Sequence, residues 1–250
     1  GVIWSPPMWA DVVDLNEFYS SRLGQVARRM IRRRIRSIWP DVRGMSVLGL
    51  GYATPYLRIF RDEAERVLAV MPAHQGVMRW PPVGPGQVAL AGETELPLPD
   101  LSVDRLIMVH AAEHSEHLRD MMREAWRVLT GSGRMIVIVP NRRGIWARFE
   151  RTPFGQGHPY SQGQLRRLLQ DCLFTPVGAT RALYIPPTRL RIVLHSASAL
   201  ENIGDRWFQA VSGVVMIEAS KQIYAATAVQ AEPARKRRPF VAITGGGRPS

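Results

Sequence analysis

A single cysteine, Cys172, occurs in 250 residues, so no internal disulfide can form and nothing in the chain asks for an oxidising compartment. No motif surrounds it, and it reads as a small packed hydrophobe. No apolar run approaches the ~18 residues of a membrane span. The first residues (Trp4, Pro6, Pro7, Asp11, Asp14) lack the basic-then-apolar order of a signal peptide, so a cytoplasmic protein is expected. Acidic side chains are scarce as well, 21 against 33 Lys and Arg, for a formal charge of +12. The excess is local: Arg28, Arg29, Arg32, Arg33, Arg34 and Arg36 crowd one segment, and Arg235, Lys236, Arg237 and Arg238 another. Such clusters can meet the phosphates of a nucleic acid; equally they make a solvated helix face and a mobile tail. No aromatic-interleaved basic face or RNA module accompanies them.

What is present is enough apolar residue, 46%, to bury a substantial core in one domain with extensions. Residues 11–39 carry Leu23, Val26, Met30, Ile31, Ile35 and Ile38 at helical spacing up to Pro40, predicting one N-terminal helix packed on the domain that follows. Val47, Leu48 and Leu50 then form a short strand breaking into Gly49-x-Gly51-x-Ala53, with a helix from Pro55 to Arg66 behind it. That is a tight turn able to bring a ligand onto bare backbone. Further strands are predicted at 67–70, 88–90, 103–109 and 134–139, and a helix at 115–129 with Ser115 as N-cap and Gly131 at its C-terminal turn. Ser161 caps another helix over 164–173. This alternation means crossover units and a parallel sheet covered on both faces. Ligands bind such sheets beyond the carboxyl ends of the strands, where Gly49 to Ala53, Met71, Glu93-Thr94, His110 to Glu113 and Asn141 gather. The boundaries expected are an N-terminal helical extension over 1–40, a core domain over 41–230 and a basic flexible tail over 231–250.

Three pieces in order carry a family resemblance: the glycine turn, the block Gly92-Glu93-Thr94-Glu95-Leu96-Pro97-Leu98-Pro99-Asp100-Leu101-Ser102-Val103-Asp104, and His110-Ala111-Ala112-Glu113-His114. The block is similar to "Gly-Asp-Ala … Leu-Pro-Phe-x-Asp-x-Ser-Phe-Asp" and the last piece to "His-x-Leu-Glu-His" of the class I S-adenosylmethionine-dependent methyltransferases. Arg123 to Leu129 with Gly131-x-Gly133 resembles their helix and turn into strand five. The resemblance runs from about residue 45 to 140. It implies a three-layer, doubly wound, seven-stranded, mostly parallel sheet, with strands six and seven near 177–184 and 214–219 and an inserted helical cap over 189–207. It also implies S-adenosylmethionine as cofactor, held by Gly49, Gly51, Tyr52, Ala53, Met71, Glu93, Thr94 and His110, with Glu93 at the adenine. The family usually has acidic residues at the ends of strands one and two; Gly49 and Met71 stand there. Each charge-assisted hydrogen bond lost to a ribose diol is worth about 1.5–3 kcal/mol, and Gln75, Trp80 and Tyr52 are the nearest replacements. A non-catalytic binding protein on the same fold is the alternative.

Methyl transfer from a sulfonium needs nucleophile, methyl and sulfur held in line and water kept out. His110, Glu113 and His114 are the titratable groups expected nearest the methyl and the candidates for a general base, with His117 one turn on. Each histidine fits equally a half-buried side chain capping the next helix. His110-x-x-Glu113-His114 also has the spacing of the inverted zinc peptidases, but those need both histidines on one continuous helix. Here His110 follows directly on a strand, so zinc hydrolysis is set aside and no metal is expected. On the acceptor side, Tyr19, Asn141, Arg142, Trp146 and His158, with Arg143, read as a lid for a small or medium acceptor; Trp146 and Phe154 fit equally as loop anchors.

Overall fold

The computed structural model describes residues 11–73, 75, 88–92 and 94–223, with backbone alone at 88 and 90. Seven strands, β1 (Ser46–Gly51), β2 (Arg66–Pro72), β3 (Val88–Ala91), β4 (Val103–Val109), β5 (Leu129–Pro140), β6 (Phe174–Ala182) and β7 (Val214–Lys221), form one sheet in the order β3-β2-β1-β4-β5-β7-β6. The first five run parallel, and β7 is antiparallel to both its neighbours. The alternation within each strand explains the three layers. Val47, Ala69, Met71, Ile107, Val109, Ile136 and Ile138 point to one apolar cluster; Leu48, Leu50, Val70, Leu106, Met108, Met135 and Val137 point to the other. Helices α1 (Val12–Ser20), α2 (Arg22–Ile38) and α3 (Thr54–Leu57) cover the first face. Helices α4 (Leu118–Val128) and α5 (Gln162–Asp171) cover the second. Each fully buried Leu, Ile or Met gives about 1.5–3 kcal/mol, and both faces are lined with them.

The helical boundaries depart from expectation where local chemistry intervenes. The N-terminal helix is two helices, because Ser21 is extended (φ −71°, ψ 161°) and its hydroxyl accepts from Gly24 N–H to start α2 afresh. A Cβ on Gly24 would sit 1.9 Å from the Phe18 carbonyl oxygen, so the elbow needs glycine. α3 is short, and after one tight turn at Arg58–Phe60 the chain leaves the helix. Ser115 does not cap α4: residues 110–117 are used up in a turn, and the helix opens at Leu118 with His117 at its cap position and no side-chain capping bond. Gly131 lies in β5, which takes up the chain at Leu129. Ser161 does cap α5, in a reciprocal pair with Gln164. The inserted cap is two helices, α6 (Arg191–His195) and α7 (Ala197–Trp207).

The basic helix α2 is tied down by its own arginines. Arg32 donates to Pro55 O at 2.8 Å; Arg36 pairs with Glu63 at 2.8 Å and lies over the Phe60 ring; Arg34 reaches Asp205 at 3.1 Å and Arg33 reaches Ser198. Arg127 does similar work across the sheet, joining Glu124, Asp100 and the carbonyls of Leu96 and Leu98, so that the Leu96–Asp100 segment is strapped to α4. The basic stretch 235–238 lies outside the described residues. Among the described residues no helix is long and apolar enough to cross a membrane.

The cap is fixed by one carboxylate. Glu201, buried on α7, accepts from Leu183 N–H and Tyr184 N–H, both at 2.9 Å, where the chain leaves β6 with Leu183 at φ 69°. Glu201→Ala strands both donors and should cost about 2–4 kcal/mol in urea unfolding, whereas Glu201→Gln, keeping one acceptor, should lose roughly half as much.

Candidate active site

The carboxyl ends of β1 and β4 meet at Gly51, whose φ is +85° and whose missing Cβ would lie 2.2 Å from Val109 O. Only glycine lets Tyr52 N–H reach Val109 O at 3.0 Å across that junction. The next residue on β4's side, His110, is also left-handed (φ 50°), an unusual state for a residue with a side chain. The turn throws its ring inward, where it is fully buried.

Helix α1 closes over this junction. Tyr19 stacks on Tyr52 at 5.8 Å between centroids, and its hydroxyl lies 2.6 Å from Tyr56 Oη and 2.7 Å from His110 Nε2. Gln75 donates from Nε2 to His110 O at 3.2 Å and offers its own carbonyl to Val12 N–H, tying the start of α1 to the same turn. Phe154 covers the His110 ring at 5.0 Å, and Phe18 covers Phe154 at 6.0 Å. Glu113 and His114, from the turn after His110, are buried beside it. Glu113 Oε1 stands 3.5 Å from His110 Nδ1, too long for a good hydrogen bond.

Burial sets the charges. It lowers the His110 pKa, with the neighbouring Glu113 carboxylate acting the other way, so the imidazole is neutral at neutral pH. Burial raises Tyr19 well above the usual phenol range, reinforced by Tyr56 alongside, and raises Tyr56 too. The two phenols and the imidazole form one hydrogen-bonded row, Tyr56 Oη to Tyr19 Oη to His110 Nε2, with Nδ1 on the side of Glu113. Among the buried polar atoms with no hydrogen-bond partner in the described residues are Gln75 Oε1, His110 Nδ1 and Glu113 Oε2.

Residues 47–137 match the family model for a methyltransferase domain. A probable S-adenosylmethionine-dependent methyltransferase of Mycobacterium tuberculosis is 34% identical over 117 residues, 46% of this chain and 42% of that protein. Residues 47–137 of this chain are therefore similar to a methyltransferase domain. The chain spans about two-fifths of the length of that relative. Among solved structures, a Thermotoga maritima S-adenosylmethionine-dependent methyltransferase, described as a possible histamine N-methyltransferase, superposes with a TM-score of 0.58 at 16% identity over 84% of this chain and 96% of its own. The [4+2]-cyclase SpnF superposes at 0.52 with 18% identity, over 80% of this chain and 82% of its own. At those identities the likeness concerns the fold.

The relatives named here are described as S-adenosylmethionine-dependent. The orphaned acceptors Gln75 Oε1 and Glu113 Oε2, at the strand ends where the glycine turn lies, suit the ammonium of a zwitterionic amino-acid end group. The end of β2 offers something different: Met71 is fully buried and apolar. The spaces that Cβ atoms would take at Gly49 and Gly51 are filled by Ala53 and Leu57 and by Val109 and Ala111, so these two glycines serve the packing of the turn itself. Thr94 is exposed after β3. Glu93 and Trp80 lie outside the described residues.

The structure therefore brings Tyr19, Gly51, Tyr52, His110, Glu113 and His114 together. Asn141 is elsewhere: its amide donates to Ala210 O and Ser212 O, pinning β5 to the segment entering β7. Trp146 is buried and donates to Ile185 O at 2.7 Å, an anchor for the loop. Arg142 and Arg143 are exposed. His158 is exposed but its backbone N–H donates to Glu113 O at 2.7 Å, which lays the 157–158 loop against the turn. Tyr56, Phe18 and Phe154 are the site neighbours whose role sequence reasoning missed. Their only signal was aromatic clustering, which packing explains as well.

Removing the Tyr19 hydroxyl leaves a buried imidazole nitrogen and a buried phenol unpaired. Tyr19→Phe should destabilise the fold by about 1–3 kcal/mol in urea unfolding, and Tyr19→Phe with Tyr56→Phe should cost less than the sum of the two single changes, because they share one bond.

Proposed function

We propose that this chain is an S-adenosylmethionine-dependent methyltransferase acting on a small or medium-sized acceptor. The observation that carries the reading is the convergence, at the carboxyl ends of β1 and β4, of unpaired buried polar atoms with a glycine turn, on the strand order of the methyltransferase fold. Bound there, S-adenosylmethionine supplies a methyl group on a sulfonium, an electrophile with a good leaving group. Gln75 and Glu113 take its amino-acid end, and Tyr52 and Ala53 flank the turn. The chain's own contribution is orientation, exclusion of water and removal of one proton.

The proton-handling group is the His110–Glu113 pair. A neutral, buried imidazole can take a proton on Nε2 from the Tyr19 hydroxyl, which is in turn reprotonated from the acceptor side, while it gives its Nδ1 proton to Glu113, so the ring stays neutral. The acceptor enters from the other side of Phe18. A cavity of about 910 Å³ lies there between α1, the 149–156 loop and the cap, lined by Leu15, Phe18, Phe149, Pro153 and Leu194. Arg22, Arg151 and Arg189 also line it, balanced by Asp14, Glu17 and Glu150, so the lining selects for apolar bulk rather than for one sign of charge. In this reading 41–230 is the methyltransferase domain and the helices before it form a lid.

Calorimetric titration with S-adenosylmethionine should give micromolar binding, and Glu113→Gln should weaken it tenfold or more. No heat of binding up to millimolar cofactor would overturn the enzyme reading and leave a binding protein on the same fold.

A further inference from the structure

We propose that His110, Glu113 and His114 form a binding site for one divalent transition-metal ion of the zinc class. One potential ligand atom from each residue lies within 4.8 Å of the other two, and all three residues are buried. This site is defined by the chain's own side chains and does not rest on methyl-donor binding.

The spacing separates a metal from a hydrogen bond. At 3.5 Å, His110 Nδ1 and Glu113 Oε1 are too far apart for a good N–H···O bond. Ligands at 2.0–2.2 Å from a tetrahedral zinc stand about 3.3–3.6 Å from one another, which is this distance. Two of the atoms that would bind or flank the ion, His110 Nδ1 and Glu113 Oε2, have no other partner among the described residues. No lysine or arginine pairs with Glu113 among the described residues, although buried carboxylates are normally paired or bound to metal. Two imidazoles and one carboxylate are a donor set that zinc accepts with a fourth position left open.

The surroundings supply what a metal site needs outside its ligands. A metal-binding imidazole commonly fixes its other nitrogen on a hydrogen-bond partner, and His110 Nε2 has Tyr19 Oη at 2.7 Å. The Glu113 backbone is held by His158 N–H at 2.7 Å and the His110 carbonyl by Gln75. Access is short: exposed Gly157 lies against the His114 ring so closely that a Cβ there would be 2.9 Å from it. The spacing His-x-x-Glu-His reaches this geometry through a turn after a strand rather than along a helix, so it implies a metal site without implying a peptidase.

Binding carries a proton consequence. A metal on Nδ1 requires the ring's single hydrogen to sit on Nε2: a proton carried on Nδ1 moves to Nε2, which then donates to the Tyr19 oxygen, and the Tyr19 hydroxyl turns to Tyr56. Every member of the row stays bonded.

The test is titration of the chelator-stripped, full-length protein with cobalt(II), followed by displacement with zinc, in the absence of S-adenosylmethionine. Expected are one cobalt per chain, the intense visible absorption of a tetrahedral site, and its loss on adding one equivalent of zinc. Glu113→Gln and His114→Ala should each weaken cobalt binding at least tenfold, and His195→Ala, on the exposed α6, should leave it unchanged. Tyr19→Phe, which keeps all three ligands, should weaken it through the lost Nε2 partner. Absence of the absorption in the wild-type protein overturns the proposal whatever the variants do, and so does unchanged binding in folded Glu113→Gln and His114→Ala. Because the readout needs no methyl donor, failure here leaves the methyltransferase reading standing, and failure of cofactor binding leaves the metal site standing.

Discussion

One phenol hydroxyl holds the active edge together. Tyr19 Oη is shared between Tyr56 and His110 in a pocket that excludes water. In such surroundings a satisfied polar row stabilises and an unsatisfied one is costly. The hydroxyl is therefore a latch: α1 can leave the sheet only by stranding a histidine and a second tyrosine. Phe18, Phe154 and Tyr52 shield the same bonds from solvent. The N-terminal helix is in this way coupled to the titratable groups at the strand ends, and any ligand admitted there has to negotiate with Tyr19. That coupling makes α1 the element whose displacement would expose the strand ends.

The same edge shows how a chain poor in acid distributes its charge. Few carboxylates are available, and several of them are committed to positions: Glu63 to Arg36 and Val42 N–H, Glu124 to Arg127 and Leu96 N–H, Glu201 to two backbone donors. The end of β2 has Met71 instead. Glu113 is the exception, buried without a basic partner among the described residues, and it sits beside the histidines. A buried carboxylate of that kind persists only when something compensates it. The arginines of α2, which in sequence look like a surface for phosphates, are largely occupied in joining α2 to α3 and α7, and this weakens the nucleic-acid reading.

Much of the architecture was legible in the residues because both faces of a parallel sheet bury alternate side chains: β4 lies at 103–109 as read, and β1 and β7 agree within a few positions. Where the reading failed, a local bond outweighed periodicity. Ser21 interrupts an apolar stripe that continues through it, since capping Gly24 N–H and the close approach of Phe18 decide the elbow. Ser115 looks like a cap, yet the chain spends 110–117 turning the histidines inward before α4 can start. Candidate residues fared similarly. His110, Glu113 and His114 were recognisable from their spacing, as was Tyr19 from its place before the basic helix. The Tyr56 bond spans 37 positions and the His110 bond 91, and no local pattern encodes such a contact. Asn141, polar and at a strand end, had every outward sign of a ligand contact; the carbonyls of Ala210 and Ser212 that absorb it are remote in sequence.

The fold by itself does not choose the reaction, since the same architecture is found in a [4+2]-cyclase. What distinguishes this chain is the contents of its strand ends. The imidazole of His110 is held in a left-handed backbone state, fully buried, bonded to one tyrosine and facing the buried carboxyl group of Glu113. Backbone strain and a buried polar atom without a partner each cost stability. Both costs fall at the edge where this fold places its ligands, which is what the proposed proton-handling or metal-binding role would account for.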